Sequence, residues 1–127
     1  MPAKESRYPK DWFAKAQKDL ERVKLRLKEE DDEDAAVHLQ QAIEKYLKGY
    51  LLSKGWRLKP THDLEVLLDE AVELNPALER FRDLCLEATP YYIEERYPFF
   101  GLEPSSEEIE RLLEMAYEFV GEICEKE

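Results

Sequence analysis

Residues Ala36 to Leu68 read AVHLQQAIEKYLKGYLLSKGWRLKPTHDLEVLL, and this stretch decides the fold. Leu39, Ala42, Ile43, Tyr46, Leu47 and Tyr50 recur at three- and four-residue steps, the period of one buried helical face. With Ala35 they predict a helix over about Glu33 to Lys54, and Gly55 is a natural stop for it. A short loop holding Pro60 follows. Thr61 is then read as the N-cap of a third helix, with Asp63 in its first turn and Leu64, Leu67, Leu68 and Ala71 on its core face. Both histidines of the chain, His38 and His62, fall inside this one stretch.

Helical patterns continue on either side. Toward the N-terminus, Trp12, Ala16, Leu20, Val23 and Leu27 make one apolar stripe over about Asp11 to Glu30. The acidic run Asp31-Asp32-Glu33-Asp34 opens the second helix, where carboxylates favour the positive end of the helix dipole. Successive residues on a helix point in different directions, so this run reads as a cap and solvated turn rather than a metal site. Toward the C-terminus, Asn75-Pro76 signals a fourth helix, with an N-cap followed by proline at the first helical position. It carries Leu78, Phe81, Leu84, Cys85 and Ala88. Thr89-Pro90 breaks the pattern, because proline lacks an amide donor and disfavours helix in the residue before it. An irregular aromatic segment follows. A last helix starts with a capping box from Ser105 to Glu108, and Ile109, Leu112, Leu113, Ala116, Phe119, Val120 and Ile123 form its stripe. No alternating strand pattern appears. The expectation is an all-α chain, an antiparallel up-and-down bundle of about five helices, forming one domain over residues 1–127.

Composition agrees with that class. Charged residues make up 39% of the chain and there are only four glycines, which is the mix of a helical protein. The net charge of −11 repels phosphate backbones and anionic membrane surfaces, and suits a partner with a basic face. Cys85 and Cys124 are far apart with no metal spacing, so two free thiols are expected. The opening MPAKESRYPK is charged and lacks an apolar core, and no apolar run is long enough to span a membrane. A cytoplasmic location is therefore expected.

Chemistry-bearing residues are few. His38, Gln41 and Lys45 lie near one another on the second helix. They read either as a polar patch for a nucleotide or a partner's side chain, or as a histidine hydrogen-bonded within the bundle or at a dimer face. A lone histidine without a matched carboxylate or nucleophile does not make a catalytic site. His62-Asp63 opens the third helix, where free amides can hold an anion, although Asp63 opposes one. Arg96 lies among Tyr91, Tyr92, Tyr97, Phe99 and Phe100. Aromatics beside an arginine suit base stacking or a protein interface, or else a hydrophobic plug at the bundle end. There is no glycine-rich phosphate loop, GxSxG, HExxH or EF-hand, and no metal site is expected.

Three segments in order, AVHLQQAIEKYLKGYLLSKG, THDLEVLL and TPYYIEERYP, together resemble the HEPN domain family over about Asp11 to Glu122. The resemblance implies a five-helix up-and-down bundle, usually a homodimer, that works beside a minimal nucleotidyltransferase. The bundle is similar to the substrate-binding helical domain of kanamycin nucleotidyltransferase. A nucleotide is the implied ligand, with no resident cofactor. Many members of the family are metal-independent ribonucleases that pair an arginine with a histidine a few residues later. Arg96 matches that arginine, but Tyr97, Pro98, Phe99, Phe100, Gly101 and Leu102 follow it and the histidine is missing. Some members are silenced when the paired transferase adds AMP to a tyrosine near this place, where Tyr97 stands. The expectation is therefore a noncatalytic HEPN protein that binds a nucleotide or substrate, with His38, Gln41, Lys45 and His62 as binding candidates from the residue reading and Arg96 and Tyr97 as those the resemblance points to. The alternative is a ribonuclease toxin with a degenerate site built on Arg96 and His38 or His62.

Overall fold

A computed structural model describes residues 6–57, 59–92 and 104–124. They form five α-helices: α1 (Pro9–Lys28), α2 (Asp32–Ser53), α3 (Leu64–Leu74), α4 (Arg82–Ala88) and α5 (Ser106–Cys124). No strand occurs among the described residues. α2 is the central element and packs against α1, α3, α4 and α5.

The local sequence explains each boundary. Pro9 starts α1 two residues earlier than the apolar stripe alone predicts, since its fixed φ suits the first helical position. Asp31 caps α2 by accepting from the Asp34 amide at 3.1 Å. α3 corrects an expectation, because its N-cap is Asp63 and not Thr61. The Asp63 carboxylate accepts from the Glu65 amide at 2.9 Å, while the Thr61 hydroxyl accepts from the Asp63 amide and shapes the turn before the helix. Asn75 does cap at Pro76, but the turn it opens is a 3₁₀ helix (Pro76–Phe81) that becomes α4 only at Arg82. A second 3₁₀ turn, Thr89–Tyr91, marks the break at Pro90. Ser105 accepts from the Glu108 amide at 3.1 Å, the first half of the expected capping box.

Two helices end in the same way. After α1, the Asp31 amide donates to the Arg26 carbonyl and the Glu30 amide to the Leu27 carbonyl, with Glu30 left-handed at φ 60°. After α2, the Trp56 amide donates to the Leu51 carbonyl and the Gly55 amide to the Leu52 carbonyl, with Gly55 at φ 87°. Glycine takes this conformation freely, whereas Glu30 bears the steric cost of its Cβ.

The core lies where α2, α3, α4 and α5 meet, and Leu39, Ile43, Leu47, Leu67, Leu84 and Phe119 are fully enclosed there. Phe81 meets Phe119 edge-on, with ring centroids 5.2 Å apart. Against α1 the approach is closer still. A Cβ on Gly49 would stand 2.9 Å from Phe13 Cε1 and 3.1 Å from Trp12 Cβ, so the α1–α2 contact requires a residue without one. Among the described residues, no helix is long and apolar enough to cross a membrane.

Candidate functional site

One flank of α2 is polar, and helical spacing divides it into two rows. His38, Gln41 and Lys45 form one, and Gln40, Glu44 and Lys48 form the other. Each row is organised around one buried carboxylate.

The first carboxylate is Asp19 of α1, whose side chain is 3% exposed. Lys45 Nζ donates to its Oδ2 at 2.6 Å and the His38 Nδ1–H to its Oδ1 at 3.0 Å. A carboxylate can only accept, so the ring nitrogen that meets Asp19 is the donor in this contact. His38 Nε2 lies 3.3 Å from Asp34 Oδ2, and Arg26 Nε donates to the same oxygen at 2.8 Å. The hydrogen bonds to Asp34 and then Glu29 raise the Arg26 guanidinium above its ordinary pKa. The result is a chain of contacts running from Lys45 through Asp19, His38 and Asp34 to Arg26 and Glu29, which ties α1 to the N-terminal half of α2.

The second carboxylate is Glu44. Lys48 Nζ donates to its Oε2 at 3.1 Å, and both side chains are almost fully enclosed, at 2% and 6% exposure. Gln40 Nε2 donates to Glu44 Oε1 at 3.0 Å and to the His62 carbonyl at 3.2 Å, which pins the loop before α3 onto α2. Gln41 Nε2 donates to Gln40 Oε1 at 2.9 Å. The His62 Nδ1–H faces both Glu44 oxygens at 3.0 and 3.1 Å. Its ring stacks on Tyr92, with centroids 3.9 Å apart. His62 Nε2 makes no hydrogen bond among the described residues, on a side chain that is 43% exposed. A buried carboxylate that orients an imidazole while its far nitrogen faces solvent is an arrangement that can move a proton.

The HEPN domain family model matches residues 9–127, nearly the whole chain. The chain belongs to the HEPN domain family. Comparison with curated proteins gave no match, and neither did comparison with solved structures.

For this HEPN domain the geometry sorts the residues that the sequence singled out. His38 and Lys45 come together on Asp19, and His62 joins Gln40, Gln41 and Lys48 around Glu44. Neither histidine is alone: His38 is hydrogen-bonded within the bundle, the second of its two readings, and His62 meets the Glu44 carboxylate. The α3 N-terminus is occupied by the domain's own Asp63 carboxylate. Arg96 and Tyr97 lie outside the described residues. Among the described residues no group of His, Cys, Asp and Glu could hold a metal ion.

Asp19 and Lys48 escaped the sequence reading, yet each left a signal. Asp19 falls inside the apolar stripe Ala16, Leu20, Val23, where a polar residue must be buried and partnered. Glu44 and Lys48 are four apart in the ion-pair order on a helix that is otherwise apolar there.

Proposed function

We propose that this HEPN domain is noncatalytic, that it forms a homodimer, and that it acts with a separate minimal nucleotidyltransferase, contributing nucleotide or substrate binding. One observation carries the reading: the lysines beside both histidines are already used. Lys45 is spent on Asp19 and Lys48 on Glu44, while both ring nitrogens of His38 face carboxylates. Groups neutralised in this way hold helices together and leave little charge for a transition state. Dimerisation draws support from a concavity of about 640 Å³ whose apolar wall is Phe13, Leu20, Tyr46, Tyr117 and Val120 and whose rim carries Gln17, Glu21 and Lys24, with Tyr117 itself exposed. Copurification from the native cell followed by mass spectrometry tests the partnership, and calorimetric titration with ATP tests the ligand. A transferase at stoichiometric yield, or nucleotide binding that saturates below a few millimolar, is expected. Recovery of no transferase together with no heat from nucleotide would end the proposal.

A second reading, metal-independent RNA cleavage, is favoured by one feature. His62 is oriented by Glu44 and stacked on Tyr92, four positions before Arg96 in the chain. In that reading His62 takes the acid or base role that no residue after Arg96 fills. Cleavage of labelled RNA that persists in EDTA and is lost in both Arg96→Ala and His62→Ala is its signature.

A further inference from the structure

Charge is divided unevenly between the two helices that flank the concavity of Phe13, Tyr46 and Tyr117. α1 carries seven lysines and arginines against three acidic residues, although the chain as a whole has a net charge of −11. α5 carries six glutamates against one arginine. The concavity lies along the seam between them, lined by Phe13, Leu20 and Lys24 from α1, by Tyr117 and Val120 from α5, and by Tyr46 from α2.

Helical spacing carries the division to the rim. Lys24 and Lys28 are four residues apart on α1. Glu110 and Glu114 are four apart on α5 and lead to Tyr117 three residues on. Lys24 stands 5.0 Å from the centre of the Tyr117 ring, so the two rows lie side by side. All four charged side chains are exposed, and none makes an ion pair among the described residues. Glu21 is the acidic exception on the α1 side. These features select an occupant. The apolar wall gains when water leaves it. A partner of one charge sign would be drawn to one rim and repelled by the other. A second copy satisfies both rims, because a two-fold axis running along the helices lays α1 of each copy on α5 of the other and makes the attractive contact twice.

We propose that a second copy of this chain covers the seam between α1 and α5, with α1 of each copy lying on α5 of the other. The Lys24–Lys28 row of one copy meets the Glu110–Glu114 row of the other, and Tyr117 leaves solvent. Two copies meeting through surfaces that carry the chain's overall negative sign repel, whereas this face sets opposite charges together. The inference rests on the reading that the domain forms a homodimer, and it adds the pairing of helices and charges that holds the two copies.

Sedimentation equilibrium of the full chain tests the face. Lys24→Glu with Lys28→Glu, and separately Glu110→Lys with Glu114→Lys, should each weaken the dimer by about tenfold or more. The second reversal lowers the chain's net negative charge, so a dimer limited by overall repulsion would tighten instead. Mixing the two variants should restore association as a heterodimer, since each acidic row then meets a basic one. A folding defect is not cured by mixing, and far-UV circular dichroism establishes that each variant is folded. A dimer unmoved by either double reversal, or variants that fail to pair when mixed, overturns the proposed face and leaves the homodimer standing. A monomer at every concentration overturns the homodimer as well.

Discussion

The two carboxylate clusters on α2 use the same parts to different ends. Asp19 and Glu44 are each buried, and each holds a lysine and a histidine. Around Asp19 the cations reach the surface: Lys45 is 24% exposed, Arg22 lies at 3.7 Å, and His38 is shared with Asp34. Around Glu44 the cation is interior, and the histidine is the member that faces solvent. One cluster is thus a clamp between helices whose members can retreat to water. The other is a buried pair that cannot, with an imidazole as its outer end. Burial of the cation decides how much each carboxylate matters, since a charge stranded in the interior costs far more than one that can rehydrate.

That difference gives the largest expected effect. Glu44→Gln strands the Lys48 ammonium and should cost about 3–5 kcal/mol in urea unfolding. Asp19→Asn leaves Lys45 and His38 able to reach solvent, and should cost about 1–3 kcal/mol in the same experiment. Equal losses, or the reverse order, would break the contrast. The histidines sharpen it further. His38→Gln should lose about 1 kcal/mol because both nitrogens have partners, whereas His62→Gln should lose about half that from its exposed position.

Much of this arrangement could be read from the chain, and the failures have physical causes. The apolar periods of α2 and α5 place those helices to within a residue or two, because a buried stripe overrides weaker local signals. Thr61 and Asp63 are both good caps two positions apart, and local propensity does not choose between them. The choice falls to packing, since Leu64 must be the first buried residue of α3 and Gln40 fixes the His62 carbonyl. The site was half legible. His38, Lys45 and His62 stood out by residue type, but their carboxylates lie 19, 26 and 18 positions away in sequence. No spacing rule spans such distances, and only the packing of α1 and the loop onto α2 brings these pairs together, whereas the Asp34–His38 contact follows from four-residue helical spacing.

Smaller effects follow from the helix ends and the thiols. Glu30→Gly should raise stability by about 0.5–1 kcal/mol, because it relieves the left-handed residue that Gly55 accommodates at the equivalent place after α2. Cys85 is buried and its thiol is pushed up to about 12, whereas Cys124 is exposed. A thiol-specific reagent at pH 8 should label Cys124 alone until urea is added. Raised folded-state values also set a direction with pH. Burial pushes Tyr46 up to about 12 as well, so the stability both groups contribute is full below their unfolded values near 9 and 10 and is lost as pH rises toward 12. Cys85→Ala should flatten that alkaline decline.

Under the proposed function, the His, Lys and carboxylate groups of α2 serve structure and do not cut RNA. The most direct test incubates the purified protein with end-labelled RNA in EDTA, beside His62→Ala and Arg96→Ala. No cleavage above the buffer control is expected for any of the three. Cleavage by the unaltered protein that disappears in both variants, with each variant still folded, would contradict it and make the Glu44–His62 pair part of an active site.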